Sequence, residues 1–225
     1  ANKAVAIIPN CAATRHTHFV LDGSGAATFK PPSLDDWPEI TRETGAKVKC
    51  VNLDSVTRDE IKTWQPGDTL LLSGKMLTGR DAAHKKIIDM IDKGEPLPFD
   101  LTGRFIYYVG PVDPVRDEVV GPAGPTTATR MDKFTRTMLE KTGLLGMIGK
   151  AERGPVAIEA IKEFESVYLV AVGGAAYLVA QAIKASRVVA FPELGMEAVW
   201  KIEVLNFPAF IVIDDKGNDF FEGLL

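Results

Sequence analysis

From residue 104 onward the chain alternates an apolar run, a glycine-bearing loop and a segment of helical periodicity. That order restricts the fold more than any other feature. RFIYYVG at 104–110 reads as a strand ending in glycine. A long loop, GPVDPVRDEVVGPAGP at 110–125, leads into a helix that runs to about Lys141. GMIGK is strand-like, 155–165 is a helix, and VYLVAV at 167–172 is a strand. GGAAYLVAQAIKAS reads as a helix that begins at a glycine pair, and RVVAF, AVWKIEV and AFIVID read as the last strands. Strands of period two separated by helices of period 3.6 bury both faces of a mostly parallel sheet, and ligands then sit at the strand C-terminal ends. The expected fold class is therefore α/β, with glycine-rich loops and flanking helices.

The first half is richer in strands and turns. Residues 4–8 (AVAII) and 19–22 read as strands, and KPPSLDDWP at 30–38 as an extended loop. VKCVNL at 48–53 alternates as a strand, and Ser55 is placed to cap a short helix over 57–62. TLLL at 69–72 reads as a buried strand, followed by a glycine-bearing loop, SGKMLTGRD. A helix runs from about Asp81 to Lys93 and stops at Gly94, with Ala83, Ile87, Ile88 and Ile91 at helical spacing.

Composition narrows the function. The 225 residues are 46% hydrophobic and 25% charged, with a net charge of −4 and no run of Lys/Arg, which argues against nucleic acid as a partner. No apolar stretch reaches the ~18 residues of a membrane span, and the N-terminus lacks the layout of an export signal, so a cytoplasmic location is the expectation. The absence of an initiator Met suggests a piece of a longer chain. Cys11 and Cys50 form no disulfide framework, and the three histidines are not spaced with them as metal ligands.

Three loops combine small residues with a cation near a helix start. LLLSGKMLTGRD falls short of a phosphate loop: Thr69 stands where the first glycine should be, and Met76 where the hydroxyl residue should be. It still leaves Arg80 beside a helix N-terminus, where a solvated surface Arg is the plain alternative. GPAGPTTATRMD sets Thr126, Thr127 and Arg130 at another helix start. Helix N–H groups attract anions and an arginine fork suits a carboxylate, whereas an ordinary N-cap explains one threonine and nothing more. GMIGKAERGP presents Lys150. VGGAAYLVAQAI lacks G-x-G-x-x-G and reads as tight helix–strand packing rather than a dinucleotide site.

The stretches TGRDAAHKKI, YYVGPVDPVRDEVVGPAGPTTATRMDKFT, MIGKAERG and AVGGAAYLVAQAIK together resemble the C-terminal region of class I, iron–sulfur-dependent fumarate hydratases. The β subunit of tartrate dehydratases shares the layout. The resemblance covers the chain from about residue 15. It implies a swivelling β/β/α hydro-lyase domain over 19–225, preceded at 1–18 by the tail of an N-terminal cluster-binding domain. It implies that Arg80, Arg130 and Lys150 bind a small dicarboxylate (fumarate or malate), and that Thr126 is catalytic, with Thr127 the adjacent alternative. PNCAATRH resembles the segment of a cluster cysteine, which makes Cys11 a ligand of a [4Fe–4S] cluster in the intact enzyme. The other cluster cysteines are absent, so this chain alone is expected to hold no cluster and to be inactive. The N-terminal domain would be its partner, and the assembly a homodimer. Two other readings are a tartrate dehydratase and a non-enzymatic carboxylate-binding or assembly domain. The continuous segment PNCAATRHTHFVLDGSG favours a single-chain fumarase over a separate subunit.

Overall fold

A computed structural model describes residues 48–114, 118–171 and 176–222. The expected strands at 4–8 and 19–22, the 30–38 loop, the boundary at residue 18 and Cys11 lie outside the described residues.

Seven strands form one sheet. They are β1 (Val48–Asn52), β2 (Thr69–Thr78), β3 (Phe105–Tyr107), β4 (Gly146–Gly149), β5 (Val167–Val170), β6 (Ile183–Ala190) and β7 (Val199–Ile213). β1 to β5 are parallel in that order. β7 is antiparallel to β2 along one edge, and to β6 and then β5 along the other. The pairings β2–β3–β4–β5–β7–β2 therefore close on themselves, with β1 and β6 as appended edges.

The helices are α1 (Arg58–Ile61), α2 (Asp81–Asp92), α3 (Asp132–Thr142), α4 (Pro155–Glu163) and α5 (Ala176–Gln181). α2, α3 and α4 pack Ala83, Ile87, Met138, Leu139, Ala160 and Ile161 against Leu77, Ile106, Met147 and Tyr168. The alternate residues Leu70, Leu72, Phe105, Tyr107, Ile148, Leu169, Ile202 and Phe207 form a second core. Ile61 of α1 and Val179 and Ala180 of α5 join this second core, which lies on the sheet face opposite the one that α2, α3 and α4 cover.

Four local expectations are corrected. SGKMLT is not a loop: β2 continues to Thr78 across a bulge at Gly74, whose φ of 112° needs a glycine, because β7 pairs with it throughout. AVWKIEV and AFIVID are a single strand. Pro208 falls where the second edge of β7 has left β6 and not yet met β5, so its missing N–H interrupts no ladder on that side. The last segment of the expected helix from the glycine pair, IKAS, is strand: α5 stops at Gln181 and β6 begins at Ile183. Finally, Thr57 and not Ser55 caps α1, its Oγ1 accepting the Glu60 N–H at 3.2 Å, which is the N-cap to N3 spacing.

Candidate active site

Because β2, β3 and β4 run parallel, the residues that follow them emerge at one end of the sheet. Arg80 follows β2, Tyr108–Gly110 follows β3, and Lys150 follows β4. The segment Thr126–Ala128 is laid across these ends. The Thr126 N–H donates to the Tyr108 carbonyl at 2.7 Å, the Lys150 N–H to the Thr126 carbonyl at 3.2 Å, and the Ala128 N–H to the Lys150 carbonyl at 3.0 Å. Thr127 and Lys150 thereby form a short parallel bridge. Neither threonine caps a helix through its side chain: Thr127 precedes a 3-10 turn, Ala128–Met131, with no side-chain cap bond, and α3 follows behind Met131. The amides of Thr126 and Ala128 are spent on the strand ends and so are not free to hold an anion. Both threonine side chains are half-buried.

The cations arrive on the same side. Arg130 Nη2 lies 3.3 Å from Asp81 Oδ2, at the first residue of α2. Arg80 Nη2 lies 3.5 Å from Glu197 Oε1. Glu197 Oε2 also accepts the Ala82 N–H at 2.9 Å, so this carboxylate caps α2 where the Arg80 side chain makes no cap. Arg80 Nε is buried with no hydrogen-bond acceptor among the described residues. Gly110 leaves room for this arginine: a Cβ there would lie 3.0 Å from Arg80 Nη1 and 2.8 Å from the Met196 carbonyl. Lys150 is exposed and makes no ion pair among the described residues. The structure thus brings together Arg80, Thr126, Thr127, Arg130 and Lys150. Glu197 had no signal in the sequence, since it arrives from a 3-10 segment far along the chain.

Beneath Arg80, His84 is buried. Its Nδ1 lies 2.8 Å from the Arg80 carbonyl, and a carbonyl only accepts, so Nδ1 carries the proton and donates. The ring stacks on Phe134 at 5.7 Å and meets Tyr108 edge-on at 5.4 Å. Burial lowers its pKa from 6.5 to about 4 against that hydrogen bond, with the nearby Arg153 charge adding to the fall and Asp81 opposing it. The folded chain holds His84 neutral while the unfolded chain protonates it below pH 6.5. Its contribution is therefore complete above that pH and is lost as the pH falls toward 4. Between pH 7 and 4.5 this residue is expected to cost the fold about 2 kcal/mol. Urea unfolding midpoints across that range check it: His84→Gln should flatten the slope, and an unchanged slope refutes the assignment.

Concavities of about 370 and 530 Å³ lie elsewhere, along β2, β6 and β7, and none of the five site residues lines either. The strand ends form an open surface instead. We take these ends as the site because a parallel sheet presents ligands at the C-terminal ends of its strands, although cations also line the concavities: Lys75, Arg104, Arg187 and Lys201 in one, and Lys184 beside Ser73 in the other. No group of three or more His, Cys, Asp or Glu side chains among the described residues could hold a metal, and Cys50 is exposed on β1. No helix among them is long and apolar enough to cross a membrane.

The family described as Fumarase C-terminus matches residues 23–224. Fumarate hydratase 2 of Leishmania major is 41% identical over 194 residues, 85% of this chain and 34% of that protein. The aerobic class I fumarate hydratase of Escherichia coli K12 is 45% identical over 190 residues, 82% of this chain and 35% of that one. A Methanocaldococcus jannaschii protein, provisionally described as the L(+)-tartrate dehydratase subunit beta, is 38% identical over 174 residues, 75% of this chain and 89% of that protein. The chain spans about a third of the length of these fumarate hydratases.

Proposed function

The chain belongs to the fumarase C-terminus family, and from that premise we propose that it is the substrate-clamping part of a hydro-lyase that hydrates fumarate reversibly to (S)-malate. The observation that carries this reading is the convergence of Arg80, Thr126, Arg130 and Lys150 at the ends of three parallel strands. Fumarate and malate are dianions with a carboxylate at each end. The Arg80 side chain keeps 23% of its surface although its Nη2 faces Glu197 at 3.5 Å, and a substrate carboxylate can meet that exposed part. Arg130 and Lys150 add charge on the exposed side, so the two carboxylates are oriented between cations from different loops. Thr126 moves a proton at the substrate; Thr127 is the alternative.

An open site needs a second body to exclude water, which supports an N-terminal domain as the partner that closes over it. The family resemblance implies a [4Fe–4S] cluster, which supplies Lewis-acid activation of the substrate hydroxyl when bound. The described residues do not fit a cluster. Cys11 is proposed as one ligand in the intact enzyme, with the others from the N-terminal domain, and the swivelling of residues 19–225 and a homodimer belong to the same proposal. A cytoplasmic location does too, although one Leishmania major relative is named mitochondrial.

The tartrate reading is favoured by one observation: the chain covers nearly the whole of the M. jannaschii relative. The full-length protein, handled anaerobically with iron and sulfide, separates these readings. Loss of fumarate absorbance that stops in air supports the fumarase. Tartrate turnover alone replaces the substrate, and binding of dicarboxylates without turnover of either favours a binding module.

Arg130→Lys keeps the charge and loses the planar fork. It is expected to raise KM for malate about tenfold with kcat little changed. An unchanged KM would reduce Arg130 to a surface partner of Asp81.

A further inference from the structure

Behind the site lies a buried ion pair that the proposed chemistry does not use. The Arg153 side chain is 0% exposed and that of Asp132 16%. Arg153 Nε donates to Asp132 Oδ1 at 2.6 Å, and Arg153 Nη2 to Thr135 Oγ1 at 2.5 Å, one turn further along α3. Asp132 Oδ2 accepts the Gly154 N–H at 2.7 Å. The guanidinium also stands over the ring of Tyr168, at 4.9 Å, and more distantly over Tyr108, at 5.7 Å. The Tyr168 hydroxyl in turn donates to the Ala151 carbonyl at 2.9 Å.

Every one of these contacts ends on the loop 150–154 or on the start of α3. A Cβ at Gly154 would lie 2.9 Å from Asp132 Oδ2, so a larger residue there would push that carboxylate aside. At the other end Gly149 is pressed against Ala128, Tyr108 and Tyr168, where a Cβ would find neighbours at 3.0 to 3.1 Å. Between them Ala151 takes φ 65°, a conformation a non-glycine residue holds only when its surroundings impose it. Lys150 is thus fixed from both sides, and the same carboxylate opens the helix that follows Arg130. A buried ion pair is weak evidence for stability, because an apolar replacement of equal volume serves as well. Its directed hydrogen bonds are better explained by what they orient.

We infer that Arg153 is a positioning residue: its buried pairing with Asp132 ties the Lys150 loop to the Thr126–Arg130 segment and so sets where Lys150 meets the substrate. The inference rests on the reading of Lys150 as a substrate-binding cation.

The test uses the full-length enzyme with Lys150→Ala, Arg153→Lys and the double variant. Arg153→Lys keeps the charge but loses the fork that reaches Asp132 and Thr135 together. It is expected to lower kcat/KM about tenfold, mostly through KM, and to cost less than about twofold once Lys150 is already alanine. An equal loss in both backgrounds overturns the inference, because a merely structural role is additive. So does wild-type activity of Arg153→Lys. If Lys150→Ala itself keeps wild-type activity, the substrate role of Lys150 falls, and the inference falls with it. Amide hydrogen exchange gives a readout independent of turnover. In Arg153→Lys, exchange over 150–154 and 126–130 should accelerate together while β4 stays protected; unchanged exchange in the two segments overturns the clip whatever the reaction proves to be.

Discussion

Thr126→Ala in the full-length enzyme is expected to lower kcat about a thousandfold while KM stays within about twofold. The split follows from how this residue is held. Its placement is a matter of the main chain: its N–H is bound by the Tyr108 carbonyl, and its own carbonyl by the Lys150 N–H. Removing the hydroxyl therefore leaves the segment and the neighbouring cations where they are, and the loss reports the hydroxyl alone. A free threonine hydroxyl is a poor base, so the proposed role demands an activating neighbour or a group from the rest of the enzyme. Thr126→Ser should restore much of the rate. Should Thr127→Ala show the large loss instead, the two threonines exchange roles; wild-type kcat in both removes the pair from the chemistry. Steady-state rates of malate dehydration, followed by fumarate absorbance, decide among these.

Gly146→Ala is expected to destabilise the fold by about 3 kcal/mol, although alanine is an unremarkable strand residue. Gly146 opens β4 and is paired with Phe105 on one side and Val167 on the other. The buried Phe105 ring occupies the space where its side chain would be. A Cβ would lie 2.3 Å from Phe105 Cε1 and 2.8 Å from Cδ1. Such a contact is impossible without moving the ring, and that ring is fully buried and neighbours Trp64 at 6.3 Å. A fall in melting temperature on the order of 10 °C is expected for a chain of this size. Pairing the change with Phe105→Leu should recover part of it, because the smaller side chain vacates the contact. Equal melting temperatures for the wild type and Gly146→Ala would contradict the packing described.

The strand–loop–helix order between residues 104 and 170 was legible because each element is short, bounded by glycine or proline, and keeps one period. The candidate site residues Arg80, Thr126, Arg130 and Lys150 stood out in the sequence because each lies near a glycine-bearing stretch where a strand or helix begins or ends; the loops alone left a surface arginine, an N-cap and a solvated lysine as alternatives. Long-range pairing was not legible. SGKMLT carries two turn-like residues, and only the presence of β7 makes it a strand. LNFP looks like a break, with Asn206 at φ 53° and Pro208 after it, yet pairing with β2 continues through Leu72 opposite Phe207 and Leu71 opposite Pro208. Arg153 gave no signal of its own. A buried arginine is recognisable only once Asp132 and Thr135 are placed on the helix facing it.

The closing strand also has a consequence for biosynthesis. β7 follows all its partners in the chain, and it supplies the antiparallel edge for β2, β5 and β6 at once. During translation the strands that carry the site emerge first and wait with their hydrogen-bonding edges bare. A nascent chain stalled before residue 199 would present β2 and β5 as open templates for a neighbouring polypeptide. The ribosome therefore delivers the candidate site residues before it delivers the strand that covers the open edges, and chaperone demand should peak in that interval.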